Sequence, residues 1–198
     1  MNKIIKNNWH WFLIGIVGTT ALVCGGVSIR CNPTKKEKIL YYVCASSVNT
    51  STLVKESKSV TDESIREVRI NHESLKTSKT SRLFGTVYDS TDIYIYPESQ
   101  LERTIPLSKH FYEDEITSLI PNVTGKELYP DKDKYCAIKI YDATSGEGIL
   151  KDIINYQISE EDSQNYYLSF YKSSIHIGKL NRSQSNNALK IVNHLLEL

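Results

Sequence analysis

Charge of one sign is missing from this chain: 24 Lys and Arg stand against 23 Asp and Glu, a formal net charge of +1. The basic residues are scattered among acids and form no stripe, so nothing draws the chain to a phosphate backbone, and no nucleic-acid partner is expected. Cysteine is scarce, with four residues in 198, and two of them, Cys24 and Cys31, sit in or beside the one long apolar run. Cys44 and Cys136 fall in strand-like apolar stretches, where a free thiol behaves as a small hydrophobe. Spacing alone leaves open whether those two pair. Also missing are a Gly-x-Ser-x-Gly elbow, a phosphate-binding loop, an internal repeat and any low-complexity linker. No cofactor motif is present, and no reaction is named by what remains.

What is present begins with residues 9–29, an uncharged apolar stretch from Trp9 to Ile29. As a helix it would rise about 30 Å, the thickness of a bilayer core. The run exceeds the 7–15 apolar residues, roughly, of a cleavable signal, and no Ala-x-Ala follows it. Val23 occupies the place of the small residue that precedes a lipidated cysteine, which weakens a lipoprotein assignment to Cys24. Trp9 and Trp11 suit an interfacial aromatic belt. The expected organisation is a short basic segment (1–8), a transmembrane signal-anchor helix (9–29), a juxtamembrane tether (30–38) and one globular α/β domain (39–198). A cleaved signal remains the alternative. Lys3 and Lys6 before the run are balanced by Arg30, Lys35, Lys36 and Lys38 after it, so the positive-inside count is nearly neutral. The short basic amino end favours a single-pass protein of the cell membrane with its domain outside the cytoplasm.

Roughly 160 residues beyond the anchor are enough for one real core. A continuous apolar run at 39–45 predicts a strand buried on both faces. Ser51 is the expected cap of a helix to about Lys58, and 66–71 alternates as a strand. Residues 81–88 have helical spacing, and 91–96 alternate again before Pro97. This strand–helix order predicts a three-layer α/β domain with a mostly parallel or mixed sheet. Further on, 107–120 reads as an amphipathic helix stopped by Pro121, with strong strands at 135–141 and 165–171. Residues 149–156 fit a strand or a short helix, and 174–177 extends or follows the strand before it. Ser185 is the expected cap of a closing helix striped by Ala188, Leu189, Ile191, Val192, Leu195 and Leu196. The 13 tyrosines, against four phenylalanines and two tryptophans, suit strand faces or wet binding surfaces.

Candidate chemistry is thin. The Asp131-Lys-Asp-Lys stretch has Cys136 where a calcium loop needs glycine and Asp142 where it needs glutamate, so it reads as a solvated loop. His110 with Glu113 could offer two metal ligands, but no other histidine shares their spacing. Residues 145–148, Ser-Gly-Glu-Gly, read as a hairpin turn. Topology offers more. Ligands of open parallel sheets gather beyond the carboxyl ends of the strands. Those ends here are Ser46 and Ser47, then Pro97, Glu98 and Ser99, and also Asp142. Their hydroxyls and free amides could hold a small polar or anionic ligand.

Taken together, the lysine-flanked first strand, the Thr91-Asp-Ile-Tyr-Ile-Tyr-Pro97 strand and the Asn165-Tyr-Tyr-Leu-Ser-Phe-Tyr-Lys-Ser-Ser-Ile-His-Ile177 stretch before a closing helix resemble type 2 extracytoplasmic solute-binding proteins of ABC transporters. The chain has about half the length that two lobes need and lacks a lipobox. The resemblance implies a reduced, single-lobe relative: a non-enzymatic binding module whose partner is a transporter, another envelope protein or a small polar ligand. A membrane-anchored hydrolase and a scaffold subunit are the alternatives. The first requires a base and a nucleophile converging in a pocket, the second an exposed apolar or tyrosine-rich patch.

Overall fold

The computed structural model describes residues 14–22, 32–75, 91–157 and 163–198. The chain divides into two compact units, Met1–Lys35 and Lys36–Leu198. In the first, the described helix α1 covers 14–22. At a rise of 1.5 Å per residue these nine residues span about 14 Å, against the roughly 30 Å of a bilayer core. Among the described residues no helix is long and apolar enough to cross a membrane. That corrects the expected spanning helix over 9–29, of which 9–13 and 23–29 lie outside the described residues. Gly15 and Gly18 are poor helix formers. Thr19 and Thr20 donate their hydroxyls back to the Gly15 and Ile16 carbonyls at 2.7 Å.

In the second unit, eight strands are described: β1 (Lys38–Ala45), β2 (Ser47–Val48), β3 (Glu67–Ser74), β4 (Ile93–Pro97), β5 (Leu128–Asp131), β6 (Lys134–Tyr141), β7 (Ile154–Asn155) and β8 (Tyr166–Phe170). Six form one mixed sheet in the order β3-β1-β4-β8-β6-β5, and β2 pairs with β7. β1 runs parallel to β3 and β4, whereas β4–β8, β8–β6 and β6–β5 are antiparallel. The parallel half arises because β1 returns as β3 through helix α2 (Thr50–Val60), a crossover that a hairpin cannot make. The antiparallel half begins with a tight hairpin at Asp131–Lys134, where Lys132 takes φ 59°. Residues 81–88, expected to be helical, lie outside the described residues.

Side-chain alternation gives the sheet two buried faces. Ile39, Tyr41, Val43 and Ala45 of β1 join Ile93, Ile95, Ile138, Leu168 and Phe170 on one face. Helices cover it: α2 through Leu53, α4 (Glu113–Leu119) through Ile116, and α5 (Asn187–Leu195) through Ala188, Leu189, Ile191, Val192 and Leu195. The other face carries Tyr42, Cys44, Tyr94, Tyr96, Cys136 and Tyr167. Leu101 of the short helix α3 (Leu101–Thr104) packs on it, with Ile105 and Leu107 behind. The tyrosines are therefore core, with phenol tips seeking partners.

Several local expectations change. Asn49, not Ser51, caps α2: its Oδ1 accepts the Thr52 amide at 3.2 Å and the Ser51 hydroxyl at 2.8 Å. The expected helix over 107–120 shrinks to α4, because Ser108 and Phe111 form bridges to Tyr171 and Tyr135 in extended backbone. Residues 174–177 turn away instead of extending β8, and the Ser174 amide closes on the Tyr171 carbonyl at 3.0 Å. Ser185 does not cap α5, whose first residue follows Asn186; its hydroxyl is engaged by His176 and Asn187. Cys44 and Cys136 are both thiols and form no disulfide with each other. Three strand spacings separate β1 from β6, about 14 Å, twice the reach of a disulfide.

Tyr141 and Gly148 close the 142–147 turn with a bridge. A Cβ on Gly148 would stand 2.8 Å from both the Ile140 carbonyl oxygen and the Tyr141 ring. Gly148→Ala is therefore expected to cost about 1–3 kcal/mol. Chemical denaturation of the purified protein would read this as a lower midpoint.

Candidate functional site

One edge of the six-stranded sheet collects the carboxyl ends of β1, β3, β4 and β6 and the start of β8. From β1 the chain goes first to β3 on one side and later to β4 on the other, so the strand order reverses between β1 and β4. Such a switch point is where open sheets leave room for ligands.

Side chains on the tyrosine face form a hydrogen-bonded row across β4, β1 and β3 at this edge. Gln100 follows β4 in the turn Glu98–Gln100. Its Nε2 donates to the Cys44 Sγ at 3.1 Å, and its Oε1 lies 3.4 Å from the Tyr42 hydroxyl. Tyr42 donates to the Glu73 Oε2 at 2.5 Å, a charge-assisted distance. The parallel register sets Cys44 opposite Glu73, which is why the row runs straight across β1. All four residues are buried, Glu73 at 4 % exposure. Its second oxygen, Oε1, has no hydrogen-bond partner. A buried carboxylate oxygen with nothing to accept is costly, and native structures rarely keep one without a reason.

The residues expected at this edge are partly brought together. Glu98 and Ser99 are exposed and Pro97 is buried in β4. Asn165 donates to Glu98 Oε2 at 3.0 Å and accepts the Ala143 amide at 3.0 Å. It thereby ties the end of β4 to the residue after Asp142. Ser99 accepts no such role: its amide donates to Gln164 Oε1 at 3.2 Å. The Ser46 amide, expected among the free amides of this edge, is engaged. The Ser46 amide donates to the Asn155 carbonyl at 3.0 Å, and Ser47 pairs with Asn155 in β2–β7.

Asp142 is drawn into an ion pair. Lys139 Nζ lies 2.6 Å from Asp142 Oδ2 and 3.0 Å from Glu127 Oε2. These three line an open cavity of about 430 Å³ with Lys126, Glu147 and Gly148. The Lys139 ammonium, followed by the amides of Ser145 and Thr144, holds the Asp142 carboxyl at about 2, below the usual carboxylate value. Because its folded value is depressed, the contribution of Asp142 is complete above the unfolded value near pH 4 and is lost as pH falls through about 2. Carboxyl NMR titration should give a midpoint near 2 for Asp142, returning toward the ordinary range in Lys139→Met.

Catalytic groups are sparse. Burial, then the Asp131 carboxylate, pushes the Cys136 thiol up to about 12, far from a reactive thiolate. His110 pairs with Asp131 at 2.7 Å and does not form a metal pair with Glu113. Among the described residues no group of three or more His, Cys, Asp or Glu is placed to hold a metal ion. One hydroxyl–imidazole pair exists: Ser185 Oγ and His176 Nδ1 are 2.8 Å apart. His176 is 1 % exposed, and Asn187 donates to the same Ser185 oxygen at 3.1 Å, so the trio ties the start of α5 to the preceding loop.

Tyr42, Glu73, Gln100, Lys139 and Asn165 were not singled out from the sequence. Glu73 is one more charge in an alternating polar stretch, and only the β1–β3 register shows that it faces inward. No protein-family model matches the chain, and no curated protein or solved structure matches it either.

Proposed function

We propose that residues 36–198 act as a non-enzymatic binding module that takes a small polar ligand at the carboxyl edge of β3, β1 and β4. The observation that carries this is the buried row Gln100–Tyr42–Glu73, which crosses from β4 to β1, where the strand order reverses, and ends on β3 in a carboxylate oxygen with no partner. The row contains acceptors and donors but no nucleophile activated by a base, which suits recognition better than bond cleavage. A protein partner such as a transporter would receive the ligand, in keeping with the solute-binding resemblance.

Thermal unfolding of the full chain with 1,5-diaminopentane, glutarate or glucose tests the proposal. A ligand that binds only the folded state raises Tm. At least one compound should raise Tm, and Gln100→Ala should weaken that effect. The proposal falls if none of the three shifts Tm, or if the shift ignores Gln100→Ala.

A hydrolase is the second possibility, favoured by the Ser185–His176 contact. Turnover of a chromogenic ester that disappears in Ser185→Ala would establish it in place of a binding module. No turnover is expected, since the imidazole is closed off from solvent.

A further inference from the structure

The unpartnered Glu73 oxygen carries more than the location of a site, because its chemistry selects what can fill it. Resting on the binding module above, we propose that the ligand presents an ammonium group to Glu73 Oε1. Two features converge on a cation. The first is the acceptor itself. Tyr42 satisfies Oε2 at 2.5 Å, while Oε1 has no partner and Glu73 is 4 % exposed. A carboxylate in this setting is stabilised by a donor that also carries positive charge, and only weakly by a neutral one.

The second is the absence of a built-in counter-ion. No ion pair of Glu73 with Lys, Arg or His occurs among the described residues, although Glu37, Glu56, Glu67, Glu127 and Glu147 each have one. His72, its neighbour in β3, directs Nε2 to the Ala45 carbonyl at 3.0 Å and so is engaged elsewhere. The Gln100 Oε1 in the same row adds a second acceptor within the cluster.

An anionic ligand would place like charge against Glu73 in a buried setting, which is strongly unfavourable. A primary amine of metabolite size is therefore the class expected, with the remainder of the molecule lying toward Glu98 and Ser99, which are exposed at the same edge.

The test is calorimetric titration of the full chain with 1,5-diaminopentane, with glutarate and glucose as matched anionic and neutral probes. Saturable binding of the diamine is expected, with no binding of glutarate. Glu73→Gln keeps an acceptor for Tyr42 but sets an amide donor where Oε1 stood, and should weaken the diamine about tenfold or more. Asp114→Asn, at an exposed carboxylate of α4 on the other face of the sheet, should leave affinity within about twofold. Should Glu73→Gln fail to fold, the wild-type protein still decides: the carboxyl carbon of Glu73 must shift on titration with the diamine.

Diamine binding that is unchanged in Glu73→Gln, or that leaves the Glu73 carboxyl carbon unmoved, overturns the proposal. So does a chain that takes glutarate or glucose at this edge and no amine, in which case the binding module survives and its ligand class does not. A chain that binds none of the three loses both.

Discussion

Replacing Asp92 by alanine is expected to lower stability by about 3–5 kcal/mol, a large share of the roughly 5–15 kcal/mol that holds a domain folded. Asp92 is 3 % exposed and lies at the amino end of β4. Its Oδ2 accepts the Leu40 amide at 2.9 Å, and its Oδ1 accepts the Ser174 hydroxyl at 2.6 Å. Its own amide donates to the Leu40 carbonyl at 2.8 Å, and its carbonyl accepts the Tyr171 amide at 3.1 Å. One residue therefore clamps β1, β4 and the turn after β8. Alanine keeps the two backbone bonds but strands a buried amide and a buried hydroxyl, each costing about 1–3 kcal/mol. The Asp92→Asn variant retains an acceptor for one of the two donors and should recover part of the loss. Denaturant midpoints for the three proteins would show the order wild type, Asn, Ala. Equal midpoints would mean that the clamp contributes nothing.

Phe170→Ala should cost a similar amount, about 3–5 kcal/mol, by removing a fully buried ring and leaving a cavity. Position matters as much as size here. β8 joins the parallel strands to the antiparallel ones: Phe170 stands opposite Ile93 of β4, while Leu168 pairs with Ile95 on one side and Ile138 on the other. A void at Phe170 loosens the seam between the halves. Native-state hydrogen exchange should therefore show β4 and β6 amides losing protection together. Loss confined to β8 would mean that the two halves open independently.

The strands were legible because their apolar runs need no partner to be recognised. Residues 39–45 predicted β1 as Lys38–Ala45, and burial on both faces follows from the unbroken Ile-Leu-Tyr-Tyr-Val-Cys-Ala run. Helix ends were less so, since capping depends on one hydrogen bond. Asn49 and Ser51 are both good caps, and only geometry selects Asn49. The 107–120 stretch has helical spacing, yet Phe111 pairs with Tyr135 across the sheet edge, a contact 24 residues away that no local pattern carries. For residues 9–29, apolar character predicted a full-length helix. Of that stretch only 14–22 are described, and among the described residues no helix is long and apolar enough to cross a membrane.

The candidate site shows the same limit from the other direction. Glu98 and Ser99 were read at the carboxyl end of a strand, and they directly follow β4, because topology follows from element order. Tyr42 and Glu73, the centre and end of the buried row, lie inside strands, where the tyrosine reads as core and the glutamate as surface. They meet only because β1 and β3 pair in one register, Tyr42 opposite Asn71 and Cys44 opposite Glu73. A slip of one residue would turn Glu73 to the other face.

Amide NMR of the full chain, titrated with 1,5-diaminopentane, glutarate and glucose in turn, tests most directly whether the carboxyl edge is where this protein binds. Saturable shifts are expected at Ser46 and Ser47, at Glu98 to Gln100, and at Asp142 and Ala143. Shifts gathered instead around Lys38, Asp92 and Ser174, at the opposite edge of the sheet, would contradict it, as would a spectrum that none of the three compounds moves.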